Sequence, residues 1–379
     1  MGPLSGIRVL EFEAIGPGPF AGMLLADMGA DVLLVDRPAA GDFGLKRERW
    51  YDVMMRGKRS VMLDLKADSG KQAALQLIAR ADALIEGFRP GVMERLGLGP
   101  HESLERNPRL VYGRMTGWGQ SGPLAPRAGH DVNYIALAGV LHAFGRKGEA
   151  PVPPLNLVGD FGGGGMLLGF GIACALLEAQ RSGRGQVVDA AMVEGAALLA
   201  AMFAGFLKVG EWSETRGVNT LDTGAPWYDV YETKDGKYVA IGAIEDRFYR
   251  ELIHRLALPA LPQHDRAGWP KMRDQFAKTF KTKTRDEWCK VFEGSDACFA
   301  PVLSWSEARR HPQSVSRNSY LTVAGVEQPA PAPRFSRTPA KLRGAPPERG
   351  EGGARALADW GFDSDEVKQL RSLGLGMKE

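Results

Sequence analysis

Three short segments of this chain gather residue types that can move protons. The first, Gly129-His130-Asp131-Val132-Asn133-Tyr134, sets a histidine at the mouth of an apolar stretch. An imidazole there can take or give a proton near neutral pH, although a histidine in such a place is more often a hydrogen-bonded structural residue. The second runs from Asn156 through Asp160 and Phe161 into the glycines at 162–165. An aspartate before a helix is ordinarily an N-cap. Four glycines are costly there, however, and a bare backbone admits a ligand and offers free N–H groups to an oxygen gaining negative charge. Asp160 thus reads equally as a cap or as a functional group. The third, Gly242-Ala243-Ile244-Glu245-Asp246, ends an alternating apolar run, and a lone glutamate in a loop is usually just solvated. A base, an acid and nearby donors are what abstraction of a proton beside a carbonyl requires.

Two further motifs concern phosphates. Gly16-Pro17-Gly18-Pro19-Phe20-Ala21 follows a strand-like run, precedes a helical one, and has Asp36 twenty positions after its first glycine. That is the spacing of a dinucleotide fingerprint. Pro17 and Pro19 lack the backbone N–H groups that would face a pyrophosphate, so a Rossmann-like sheet without a nicotinamide is the better reading. Arg37 is placed to meet a phosphate with its planar fork. Gly57-Lys58-Arg59-Ser60 is no Walker motif, because Arg59 stands where a hydroxyl should hold magnesium.

Bulk properties narrow the function classes. The net charge is +3, from 48 basic and 45 acidic residues, and no block of like charge occurs, so a nucleic-acid partner is not indicated. Small basic clusters at Arg56, Lys58 and Arg59, and at Lys341 and Arg343, fit either a phosphate-bearing ligand or a solvated face. Cys174, Cys289 and Cys298 form no C-x-x-C pair, which argues against a disulfide framework or a zinc ribbon. The start lacks a signal-peptide pattern, and no charge-free apolar run of about 18 residues is apparent. A cytoplasmic protein that does not span a membrane is therefore expected, and the terminal Gly-Met-Lys-Glu carries no peroxisomal tripeptide.

The elements that must position these groups alternate. Strands are expected at 7–12, 32–35, 61–65, 83–86, 110–115 and 186–189, with helices at 20–28 and 70–80 between the first of them, which predicts a parallel βαβ sheet. Long apolar helices follow at 135–144, 165–180 and 191–207. Beyond a polar, turn-rich stretch, two alternating runs flank Lys234-Asp235-Gly236, a strong hairpin signal. Helices near 248–256, 271–280 and 285–292 complete a smaller α+β unit. The length alone favours more than one core. The domain reading is a large domain at 1–205, a linker at 206–226, and a small α+β domain at 227–310. An extended return at 311–350 and a C-terminal helix at 351–379, packing on the large domain, complete it.

The longer motifs are specific in their order. GIRVLEFEAIGPGPFAGMLLADMGADVLLVDRP, GKRSVMLDLK, GFRPGVMERLGLGP, GQSGP, AGHDVNY, PLNLVGDFGGGG, GQVVDAAMVEG, DTGAPWYDVYET and VAIGAIE resemble the α-methylacyl-CoA racemase family. That family lies within the CaiB–BaiF, or type III, CoA-transferase superfamily. The resemblance runs from residue 4 to about residue 305 and more weakly beyond. It implies a large Rossmann-like parallel-sheet domain with a small α+β domain, in two chains interlocked as a homodimer. It further implies that His130 and Asp160 are the acid–base pair and that Glu245 partners the histidine. Coenzyme A would lie against Arg37, Lys58, Met62, Leu63, Asp64, Leu65 and Arg89. Gly129, Asp131, Val132, Asn133, Tyr134 and Asn156 would line the substrate site.

The implied reaction is epimerisation of a 2-methylacyl-CoA through an enolate. One base on each face of a planar enolate would invert the centre, Glu245 would orient the imidazole, and the Asp160 N–H would donate to the thioester oxygen. Met115, Met192 and Met202 would give the acyl chain an adaptable path, if they are not simply core. No metal or redox cofactor is called for, since coenzyme A enters with the substrate. The nearest alternative is a type III CoA-transferase, which would use Asp160 as a nucleophile and usually lacks the histidine and its glutamate. A nicotinamide enzyme reading Asp36 and a non-catalytic CoA-binding relative are the others.

Overall fold

The computed structural model describes residues 2–39, 41, 44 and 47–378. The chain divides into two compact units, the first made of 1–138, 155–199 and 318–379, the second of 139–154 and 200–317. In the first unit, short runs of branched and leucine side chains form strands that are mostly buried on both faces. They are β1 (Arg8–Phe12), β2 (Asp31–Asp36), β3 (Arg59–Met62), β4 (Ala83–Glu86), β5 (Val111–Thr116) and β6 (Gln186–Ala191), an edge strand whose first residues are exposed. All pair in parallel, in the order β3-β2-β1-β4-β5-β6, so the expected Rossmann-like sheet is present.

The period-2 alternation of each strand sends neighbouring side chains to opposite cores. Leu10, Leu33, Leu84 and Tyr112 pack with Leu77 of α2 (Asp68–Ile78) and with Leu357, Trp360 and Leu370 near the C-terminus. Val9, Val32, Ile85 and Val111 pack with Leu25 of α1 (Pro17–Asp27) and with Leu168 and Ile172 of the helix Leu167–Ser182. The free edge of β3 is covered late in the chain: Ser60 bridges to Gly352, and Met62 bridges to Gly376. The strand order reverses between β1 and β4, which opens a crevice at the carboxyl ends of these strands.

In the second unit, β7 (Tyr228–Glu232) and β8 (Tyr238–Gly242) form the expected hairpin, and β9 (Phe299–Pro301) adds to β8. Helices Asp246–Arg255, Trp269–Phe280 and Arg285–Phe292 cover a core that contains Trp227, Tyr231, Phe276, Phe280 and Trp288.

Several details differ from the sequence reading, among them the strand expected at 61–65, which is Arg59–Met62, and the helix expected at 191–207, which is two, Met192–Leu199 and Ala201–Lys208. The single helix expected at 135–144 is two, Asp131–Leu137 and Val140–Ala143, broken where Gly139 takes a left-handed φ of 79°. The excursion 139–154 belongs with the second unit, where Arg216 donates to the His142 and Glu149 carbonyls and Arg146 pairs with Asp229. The segment 311–350, expected as extended, includes a helix at Pro312–Ser316 and a hairpin of Tyr320–Val323 with Val326–Pro329. Ala324 and Gly325 both have positive φ in its two-residue turn, the conformation that suits the strand twist. Finally, 157–182 forms one continuous helical stretch, long and apolar enough by length and composition to cross a membrane. Here it packs on the sheet and carries Asp160.

Candidate active site

At the crevice lies an open cleft of about 860 Å³ built wholly from the first unit. Ile15 and Gly16 enter it after β1, Gly87 to Pro90 after β4, Met115 to Trp118 at the end of β5, and Met192 after β6. The segment before helix Asp131–Leu137 supplies Arg127, Gly129 and His130, and the stretch after Pro154 supplies Asn156, Asp160 and Phe161. Sequence positions far apart therefore converge at one sheet end, where ligands of open α/β folds bind.

His130 is the N-cap of its helix, in extended conformation and exposed to the cleft. Asn133 reaches back one turn, its Oδ1 accepting the His130 N–H at 3.0 Å, as in a capping box. The Tyr134 hydroxyl donates to the Gly129 carbonyl, and its ring meets Trp118 edge-on at 4.8 Å. Burial pushes the Tyr134 phenol up to about 12, with the charge of Asp160 adding to the effect. Asn133 and Tyr134 thus fix the loop that presents His130.

Asp160 lies in a wide π-helical turn, Leu157–Met166, a geometry common at functional sites. Asn156 Nδ2 donates to its Oδ2 at 3.0 Å, and its own N–H donates to Asp131 Oδ2 at 2.7 Å. Burial raises the Asp160 carboxyl above the ordinary carboxylate range and the Asp131 charge raises it further, against the lowering effects of the Asn156 bond and His130. Two expectations fail here. The glycine run is not an open helix start: Gly163, Gly164 and Gly165 are buried against Ala196, Met192, Pro17 and Phe20, so the bare backbone serves helix packing. Nor is the Asp160 N–H unengaged, since Asp131 holds it.

Residues 4–352 match CoA-transferase family III. The chain belongs to that family. Among the curated members it resembles are the α-methylacyl-CoA racemase of Mus musculus, 47% identical over 97% of this chain and 96% of the mouse protein, and that of Homo sapiens, 46% identical over 97% and 96%. A CAIB/BAIF family protein from Brucella suis has the same fold, with a TM-score of 0.81 at 26% identity, over 95% of this chain and 99% of that one.

The other residues expected at the site fall in and around the cleft unevenly. Arg89, Gly129, Asp131, Val132, Tyr134 and Asn156 line it. Arg47 and Arg127 line it too and escaped the sequence reading; Arg127 stood three residues before His130, in an exposed turn that no periodicity marks. Lys58 does not face the cleft. Its ammonium is fully buried and donates to Glu11 at 2.7 Å and to the Pro19 carbonyl, because Glu11 in the middle of β1 needs a countercharge. Leu63 is core, and the Met62 backbone is engaged by Gly376. Asp64 is exposed in a turn, and Leu65 packs on the core.

Arg37 is exposed beside β2, its N–H bound to Glu13 and its carbonyl to Arg349. Asp36 is wholly buried among Ser60, Arg49 and Arg349, so it is not presented to a ribose. Met115 and Met192 belong to the core yet touch the cleft, while Met202 lies in the second unit. Glu245 also lies in the second unit, exposed as the N-cap of helix Asp246–Arg255. Arg89 is held on a rigid loop, because Glu86 accepts the Phe88 N–H and is braced by Arg114; burial pushes the Glu86 carboxyl up to about 7.

Proposed function

We propose that this chain interconverts the (R) and (S) forms of 2-methylacyl-CoA thioesters by removing and returning the α-proton. The observation that carries the reading is that His130 and Asp160 line one cleft, one exposed and the other half-buried with a raised proton affinity. Inversion needs one group ready to take a proton and one ready to give it, on the two faces of the enolate. Burial and the nearby Asp131 charge hold the Asp160 carboxyl above its usual range, so it keeps a proton more readily than an exposed aspartate does.

The racemase name of the mouse and human relatives supports this over acyl transfer through Asp160. Arg89, with Arg47 and Arg127, provides positive charge for the coenzyme A phosphates. The enolate oxygen is met by the Asn156 amide, since the Asp160 N–H is held by Asp131. Glu245 orients the His130 imidazole. Proton transfer needs no redox group or metal of its own, and coenzyme A arrives with the substrate. We read the assembly as a homodimer of interlocked chains in the cytoplasm. In its support, large apolar side chains stand exposed in both units, among them Met166, Phe170 and Leu198 in the first and Met202, Phe206 and Leu207 in the second.

The test is incubation with (R)- and (S)-2-methylacyl-CoA in deuterated water. Both esters should take up deuterium at the α-carbon and converge on one mixture, and His130→Ala should abolish the interconversion while coenzyme A binding persists. Absence of α-exchange together with hydroxylamine inactivation in the presence of substrate would instead show the transferase reaction.

A further inference from the structure

Asp131 lines the cleft at its wall, and its carboxylate is engaged with the Asp160 backbone. It is only 4% exposed. Its Oδ2 accepts the Asp160 N–H at 2.7 Å, and its Oδ1 is buried with no hydrogen-bond partner among the described residues. The approach depends on Gly159, where a Cβ would stand 2.6 Å from Asp131 Oδ2. Asp131 directly follows His130 and is the first residue of its helix.

We propose that Asp131 is a positioning residue that ties the two proton-moving groups into one rigid unit, joined to His130 by the chain and to Asp160 by its carboxylate. The inference rests on the functional reading above, in which His130 and Asp160 share the proton.

The chemistry of the contact supports more than bracing. A neutral acceptor would hold the Asp160 N–H as well, without burying half a carboxylate unpaired, a costly arrangement. What the carboxylate adds is charge. Besides burial and Asp131, the groups acting on Asp160 are the Asn156 amide and His130, while Asp160 and Arg89 in turn act on the nearby Tyr134 phenol. Asp131 is the charged group among them that favours the protonated form of Asp160. It therefore sets both where Asp160 stands and how tightly it keeps its proton.

The experiment compares Asp131→Asn with Asp131→Ala. The asparagine keeps an acceptor for the N–H and removes the charge; the alanine removes both. The alanine variant should lose about 100-fold in kcat, the scale of a misplaced catalytic group, with KM within about threefold. The asparagine variant should stay within about tenfold of wild type in kcat, and the acid limb of its pH profile should move to lower pH. Should the alanine variant fail to fold, the nearly isosteric asparagine decides. A raised KM at unchanged kcat would make Asp131 a substrate contact and overturn the proposal, as would an unmoved acid limb in Asp131→Asn. The same titration read by NMR of the Asp160 carboxyl carbon needs no turnover. A protein that catalyses no exchange but shows the shift would sink the racemase reading and leave the Asp131–Asp160 link standing.

Discussion

Asn156 and Asp131 pull the proton affinity of Asp160 in opposite directions, one by donating a hydrogen bond to its carboxylate, the other by placing a negative charge nearby. Asn156→Ala removes the stabilising donor, so Asp160 should hold its proton to higher pH. The acid limb of kcat/KM should then move up, opposite to the shift expected for Asp131→Asn, and kcat should fall about tenfold, the worth of one hydrogen bond to a charged group. A profile of deuterium exchange against pH measures both. At this scale the sequence spoke clearly of residue types and poorly of direction. His130, Asp160 and Asn156 stood out singly by their motifs, and only the family resemblance joined them into one site. Lys58 was misread because nothing in Gly-Lys-Arg-Ser reveals that Glu11, 47 positions earlier, lies buried within its reach. Asp131 was placed in the site by resemblance and does line the cleft, but its bond to the Asp160 N–H spans 29 positions and no local motif shows it.

At the scale of elements, the π-helical turn Leu157–Met166 carries both the cleft-lining Asp160 and the packing glycines. Its glycines are assigned differently: Gly163 to Gly165 let neighbouring helices close in, while Gly159 admits Asp131. Alanine is ordinarily favoured over glycine in a helix by up to about 1 kcal/mol. Gly159→Ala should therefore leave the melting temperature within a few degrees of wild type while lowering kcat about as much as Asp131→Ala, because the added Cβ separates the two carboxyl-bearing segments. Thermal unfolding alongside exchange kinetics checks it, and a full-rate variant would show that the close approach is dispensable. Five of the six parallel strands were readable to within a residue or two at each end, since such strands advertise themselves as short branched runs between turns, while the strand expected at 61–65 lies at Arg59–Met62. The breaks were harder. Gly139 inside an apolar run and the Ala324-Gly325 turn are local backbone decisions that composition averages away.

For the whole molecule, Glu245 belongs to the second unit and His130 to the first, so in the interlocked homodimer proposed above their partnership would be a property of the assembly. If each site takes its histidine from one chain and its glutamate from the other, His130→Ala and Glu245→Ala chains refolded together in equal amounts should regain about a quarter of wild-type activity. Random pairing makes half the dimers mixed, and in those one site of two is intact. Recovery no greater than the sum of the two variants alone would place both residues in the same chain.

The sheet's outer edge at β3 has a different bearing, on how the protein comes into being. Its covering strand positions, Gly352 and Gly376, lie some three hundred residues after Ser60 and Met62. A ribosome that has delivered every strand of the parallel sheet has yet to deliver what closes it. Through most of translation, then, the nascent chain offers an unpaired β-edge to any passing strand, and its yield in the cell should depend on holding factors that keep that edge apart until the last segment emerges.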